Sequence, residues 1–211
     1  MGLQNSTESC YVLYDVADIN PIKLPGIWDS GFALDKHVVR SIYVGDNEFG
    51  HPVFDTERSY VGQLVYELKY AQDKKKVGEI VDLAARFIKN IWKIHELVNL
   101  IVPIPPSNTY RTFQPVYEIS KGIGAALGVK VDLEALSKLD RSQSKNLDDD
   151  EKKEILQKSI VLTIKGSEPL NVLVLDDLYD TGSTLTVVTE LLKSQKQVRN
   201  VYILTMTKTK G

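Results

Sequence analysis

Two adjacent carboxylates, Asp176 and Asp177, follow the unbroken apolar run Val172–Leu175. A third acid and a turn of small, hydroxyl-rich residues come next: Asp180-Thr181-Gly182-Ser183-Thr184. Gly182 permits a backbone turn that other residues resist. Successive N–H groups in such a turn can point inward as an anion nest, and Thr181, Ser183 and Thr184 add hydroxyl donors. A helix starting there presents its N-terminus to the same spot. The turn therefore suits a phosphate. The carboxylates would repel that phosphate unless they bind hydroxyls or act through a metal. A ribose 5-phosphate satisfies both halves, with its phosphate in the turn and its vicinal hydroxyls donating to the acidic pair.

These residues need a strand before them and a helix after them. Val172–Leu175 is apolar at every position, as expected of a strand buried on both faces. Leu185, Val188, Leu191 and Leu192 mark the helix that follows. Val61, Leu64, Val65 and Leu68 have helical spacing, as do Ile80, Leu83, Ala84, Phe87, Ile88 and Ile91. Lys74–Lys76 reads as a solvated turn between those two helices. Leu100 to Ile104 reads as a short buried strand stopped by Pro105-Pro106. Val116, Ile119, Ile123 and Leu127 predict a helix ending near Gly128. Lys130–Leu133, Ser159–Ile164 and Val201–Met206 are further strand candidates. Strands alternating with helices predict an α/β fold with a mainly parallel, five-stranded sheet. In open sheets of this kind, ligands bind outside the carboxyl ends of the strands. Residues 1–57 read as a separate, irregular segment, and residues 58–211 as the core domain. The polar stretch 137–154 is long for a loop in a compact domain, which points to a functional or disordered segment.

"VLVLDDLYDTGST" resembles the PRPP-binding motif of type I phosphoribosyltransferases, PRPP being 5-phosphoribosyl 1-pyrophosphate. The resemblance spans roughly residues 60–208. The order of the blocks is similar to that in ComF-like (amidophosphoribosyltransferase-like) members, named for a competence protein. There, an apolar helix ending in Leu-Lys-Tyr precedes a Val-Pro-x-Pro strand, and this chain has Leu68-Lys69-Tyr70 and Val102-Pro103-Ile104-Pro105. The resemblance implies a type I phosphoribosyltransferase fold and transfer of ribose 5-phosphate to a nitrogen nucleophile, a nucleobase or other amine, with release of pyrophosphate. It places Asp176 and Asp177 on the ribose and Asp180, Thr181, Gly182, Ser183 and Thr184 around the 5-phosphate. It implies Mg²⁺ carried by PRPP, which the two acids would meet only indirectly. Asp180 stands where purine-salvage members carry an acid facing the nucleobase and other members have Thr or Ala, so both a catalytic role and a turn role stay open.

By the same resemblance, Pro106, Ser107, Asn108 and Arg111 form a pyrophosphate loop. The segment 137–154 becomes a closing lid whose Lys138, Arg141, Gln143 and Lys145 reach the leaving group, with Lys138, Arg141 and Lys145 as catalytic candidates. The acidic run Asp148–Glu151 suits a helix start. Residues 1–57 become a hood-like segment for acceptor recognition, with Trp28, Phe32, Tyr43, Phe49 and Phe54 either stacking on a base or filling a small core. Many ComF-like proteins begin with a cysteine-rich zinc segment, whereas this chain has only Cys10, and His37 and His51 are too scattered to replace it. A non-catalytic PRPP or nucleotide sensor on the same fold, serving DNA uptake or stress response, is the alternative.

Other readings fit less well. "DTGS" also matches an aspartic-protease signature, but that fold needs two copies, or a short homodimeric chain, in an all-β setting. "DTGSTL" resembles the phosphorylated motif of P-type ATPases, but the expected Lys is missing. The 211 residues carry a formal net charge of −2, which does not suggest a nucleic-acid surface. One cysteine excludes an intrachain disulfide and fits a reducing, cytoplasmic setting. The N-terminus lacks a secretory pattern and no run approaches a membrane span, so no membrane partner is expected. A homodimer is an open expectation.

Overall fold

The computed structural model describes residues 19–106, 112–138 and 159–209. Among them, a six-stranded sheet runs in the order β1 (Ile22–Lys23), β2 (Ser30–Lys36), β10 (Val198–Lys208), β9 (Leu170–Tyr179), β5 (Leu100–Pro103), β6 (Lys130–Val131). Only the β1–β2 pair is antiparallel; every other neighbouring pair is parallel. The fold is thus mixed α/β with a mainly parallel sheet. Two antiparallel hairpins stand apart from it: β3 (Val38–Asp46) with β4 (Pro52–Arg58), and β7 (Leu136–Lys138) with β8 (Ile160–Leu162).

Helices cover both faces of the sheet. Leu173 and Leu175 of β9 and Leu204 and Met206 of β10 share one core with Leu64, Leu83 and Ile119. These three come from α1 (Tyr60–Tyr66), α2 (Lys76–Arg86) and α3 (Pro115–Leu127). The alternate residues Val172, Val174 and Ile203 share the opposite core with Leu185, Val188 and Leu192 of α4 (Ser183–Lys193), and with Leu136 and Ile160 of the β7–β8 hairpin. Both faces of β9 are covered, so its run is apolar at every position.

Three features differ from the sequence expectation. First, the segment Ser159–Ile164 does not join the central sheet; Ile160–Leu162 pairs with Leu136–Lys138 and packs over the α4 side. Second, the sheet gains an edge from the N-terminal region. Ser30–Lys36 lies parallel to Val198–Lys208, with Phe32 opposite Leu204. Residues 22–23 and 30–36 therefore belong to the main sheet. Trp28 and Phe32 are core residues: the Trp28 indole donates to the Leu24 carbonyl at 3.1 Å, and Phe32 packs edge-on against Phe87 and Trp92. Tyr43, Phe49 and Phe54 instead sit exposed on the β3–β4 hairpin. Third, β9 runs past its apolar stretch to Tyr179, because β10 continues beside it to Lys208.

Helix α1 is fixed tightly to the end of β2. The Ser59 hydroxyl caps it, accepting from the Gly62 amide at 3.0 Å and donating to the Lys36 carbonyl. A Cβ at Gly62 would lie 2.2 Å from the His37 carbonyl oxygen, so only glycine allows this approach. Beyond Tyr66 the helix widens into a π-type turn, Glu67–Ala71, and stops at Gln72 in left-handed conformation. The second helix likewise ends on a wide turn, Phe87–Trp92. Phe87 is fully buried there, between Phe32 and Trp92. Phe87→Ala is expected to lower unfolding free energy by about 3–5 kcal/mol, measured by urea denaturation.

Candidate functional site

The site lies where β5 ends and β9 continues. The last β5 residue, Pro103, is opposite Leu175, and the Ile104 amide donates to the Leu175 carbonyl at 2.8 Å. Pro105 and Pro106 follow, and neither has an N–H to extend the ladder. The chain departs, and among the described residues β9 has no strand neighbour on that side from Asp176 onward. A cavity of about 390 Å³ opens there, lined by Pro105, Pro106, Lys69, Tyr70, Lys138, Asp176, Asp177 and Thr184 among others. This is within the usual range for a small-molecule pocket, roughly 300–1,000 Å³.

Because Asp176 and Asp177 lie inside the strand, their side chains leave it on opposite faces. Asp177 turns toward the side of α1, where Lys69 Nζ lies 2.7 Å from its Oδ2. Asp176 turns toward the side of α4 and β7. Its Oδ1 accepts from the Asp177 amide at 2.8 Å. Lys138, at the end of β7, adds positive charge toward both carboxylates. The two acids thus straddle the sheet and converge on one cavity.

Burial, with the Asp177 charge adding to it, pushes the Asp176 carboxyl up to about 7; the Asp177 amide, Lys69 and Lys138 oppose the rise. Burial also lowers the Lys138 pKa, against the pull of the two acids. The raised Asp176 value has a consequence for stability. Between the ordinary value of 3.8 and about 7, the folded chain binds more protons than the unfolded one, so this group's contribution falls as pH rises through that window. Because Asp176 lines an open cavity, the loss is expected to be about 2 kcal/mol, roughly half of the ~4 kcal/mol that the whole interval from 3.8 to about 7 would give. Asp176→Asn is expected to remove that loss, read as the difference in urea stability between about pH 5 and pH 8. His37 works the other way: burial first, then Arg58 and Lys69, lower its pKa, so its contribution is lost as pH falls. It is present in both proteins and largely cancels in the comparison.

His37 supports the site from behind. Its Nδ1 lies 3.2 Å from Thr207 Oγ1, and Thr207 Oγ1 donates to the Asp177 carbonyl at 3.1 Å. With its one proton committed to that carbonyl, the Thr207 hydroxyl accepts from His37 Nδ1–H. This chain ties together the ends of β2, β10 and β9.

The turn after β9 is compact. Gly182 has φ +79° and precedes the first residue of α4, a helix with no side-chain cap bond. The amides of that first turn have no intrahelical acceptor. The Thr181 and Ser183 hydroxyls are 2.9 Å apart. Thr184 reaches the cavity wall, while Asp180, Thr181, Gly182 and Ser183 are not among its lining residues. Asp180 is exposed, and its Oδ1 accepts from the Thr209 hydroxyl at 2.9 Å.

Of the residues expected at the site, the cavity brings together Asp176, Asp177, Thr184, Lys138 and Pro106. Ser107, Asn108, Arg111, Arg141, Gln143 and Lys145 lie outside the described residues. The sequence reading gave no role to Lys69, though it quoted Leu68-Lys69-Tyr70. Among the described residues, no group of three or more His, Cys, Asp or Glu side chains could hold a metal ion, and no helix is long and apolar enough to cross a membrane.

No protein-family model matches the sequence, and no curated protein matches it. Solved structures do resemble it. A hypoxanthine phosphoribosyltransferase from Staphylococcus aureus is 17% identical, with 61% of each chain covered and a TM-score of 0.36, so the chain spans less than two thirds of that protein. An adenine phosphoribosyltransferase from Thermoanaerobacter pseudethanolicus is 13% identical over 80% of this chain and 94% of that one, with a TM-score of 0.42. An adenine phosphoribosyl transferase from Trypanosoma brucei, in complex with AMP, pyrophosphate and ribose-5-phosphate, is 11% identical over 90% of this chain and 86% of that one, with a TM-score of 0.46. At these identities the likeness is one of chain trace alone.

Proposed function

We propose that this chain is a PRPP-dependent phosphoribosyltransferase of the type I class, ComF-like in the order of its motifs. The observation that carries the reading is the convergence of Asp176 and Asp177 on one cavity, flanked by Thr184 at the start of α4 and by Lys69 and Lys138. Two carboxylates, one phosphate-binding turn and two ammonium groups match a ligand with a vicinal diol, a terminal phosphate and a diphosphate.

On this reading Asp176 and Asp177 accept from the ribose hydroxyls, and Asp180–Thr184 surrounds the 5-phosphate. Lys138 faces the leaving diphosphate, joined by Pro106, Ser107, Asn108, Arg111, Arg141 and Lys145. A nitrogen nucleophile attacks C1 and loses a proton, and the diphosphate departs with the bonding electron pair. Positive charge stabilises the group on which negative charge collects. Mg²⁺ would arrive on PRPP with Asp176 and Asp177 near it; bound there, it would neutralise diphosphate charge. Among the described residues, the exposed hairpin Val38–Arg58, carrying Tyr43, Phe49 and Phe54, is available to face an acceptor. A single cysteine suits a cytoplasmic enzyme.

One observation favours the second reading, a PRPP or nucleotide sensor. Asp180 is bonded to Thr209 rather than lining the cavity, which argues against it as a base acting on the acceptor. Pyrophosphate release from PRPP across a panel of nucleobases and amines decides between them. Acceptor-dependent release is expected; tight PRPP binding with no release for any acceptor would leave the sensor.

A further inference from the structure

Lys69 sits where its own ion pair and the proposed ligand make opposite demands. Its ammonium is 2.7 Å from Asp177 Oδ2, and the two side chains are only 24% and 15% exposed. Leu68, its neighbour in the wide turn, is buried in the core at 1% exposure, so the backbone at this point is anchored while the lysine stem reaches the strand ends. Lys69 also borders a second cavity of about 350 Å³, which shares Tyr70 and Pro115 with the first. Lys69 therefore lines both open spaces, and its flexible stem has room to leave Asp177.

Resting on the reading above, a ribose hydroxyl and Lys69 compete for the same carboxylate. Breaking a half-buried ion pair is costly unless the freed charge finds another partner. A ligand carrying only the sugar and its 5-phosphate offers none near C1; PRPP offers the diphosphate. A lysine's flexible stem and rotatable donors suit such a transfer. We propose that Lys69 is a specificity-determining latch: it pairs with Asp177 until a ligand arrives, yields it to the ribose hydroxyl, and moves to the diphosphate. Only a ligand that bears the diphosphate repays the broken pair, so Lys69 makes the site prefer PRPP over ribose 5-phosphate.

The test is calorimetric titration of PRPP and of ribose 5-phosphate into the wild type and Lys69→Met, with thermal melting as a check on folding. Lys69→Met is expected to weaken PRPP binding about 10-fold or more, while ribose 5-phosphate binds as well or better. Equal losses for both ligands, or unchanged PRPP affinity, would overturn the latch. A wild type that binds neither ligand would instead sink the proposed site, and the latch with it. Should Lys69→Met melt at a markedly lower temperature, the side-chain NMR signals of Lys69 in the wild type, assigned through Lys69→Arg, give the same answer. They should move differently on adding PRPP and ribose 5-phosphate, and identical shifts would contradict the proposal.

Discussion

The double variant Asp176→Asn, Asp177→Asn is expected to lose PRPP affinity by at least about 100-fold while remaining folded. A hydrogen bond to a charged acceptor contributes about 1.5–3 kcal/mol, and two such bonds together correspond to roughly 10²–10⁴ in Kd. Asparagine keeps the shape of aspartate, so the cavity is preserved while its two anions are removed. Folding should survive because both acids line the cavity at the open end of the sheet, outside the two cores. Removing Asp176 also removes a carboxyl that burial and its neighbour hold near 7, which offsets part of the lost pairing with Lys69. Isothermal titration and a thermal melt on the same sample check both halves of this expectation. An unchanged PRPP affinity would mean that the acidic pair is not the ribose site.

Gly182→Val should weaken PRPP and ribose 5-phosphate to the same degree, by about 10–100-fold. Gly182 has φ +79°, a conformation that costs a β-branched residue about 1–3 kcal/mol. The space is closed as well: a Cβ there would lie 2.7 Å from the Tyr179 hydroxyl. Tyr179 cannot easily give way, since it is buried and packs edge-on against Trp28, which is itself held by Leu24. The turn must therefore reshape, and the amides at the start of α4 lose their alignment. Both ligands carry the 5-phosphate, so both suffer. This separates the turn from Lys69, whose replacement should affect the diphosphate-bearing ligand alone. Titrating both ligands into both variants reads the two patterns side by side.

The sequence made some of this legible and hid the rest for identifiable reasons. Val172–Leu175, Leu100–Ile104 and Val201–Met206 are apolar runs that only a doubly covered strand explains, and they form the centre of the sheet. The acidic pair and Gly182 were visible because their residue types are unusual at a strand end. Ser30–Lys36 was not, because "SGFALDK" is short, begins with turn-forming residues and ends in charge; it becomes a strand only when β10 lies beside it. The extension of β9 through Asp176–Tyr179 likewise depends on the length of β10 and not on any local propensity of Asp-Asp. That extension sends the two acids to opposite faces, a feature invisible when they are read only as following the end of the apolar strand. Lys69 was hidden by helical periodicity. A polar residue after a buried Leu68 reads as solvent-facing, but the wide turn at Glu67–Ala71 directs it to the strand ends instead.

The central claim is that the cavity between Pro105–Pro106 and Asp176–Asp177 holds PRPP. Titration of PRPP with Mg²⁺ into the wild-type chain tests it most directly. Saturable binding of one PRPP per chain is expected, and it should disappear in the Asp176→Asn, Asp177→Asn variant. No binding to the wild type, or binding that survives in the double variant, would contradict it.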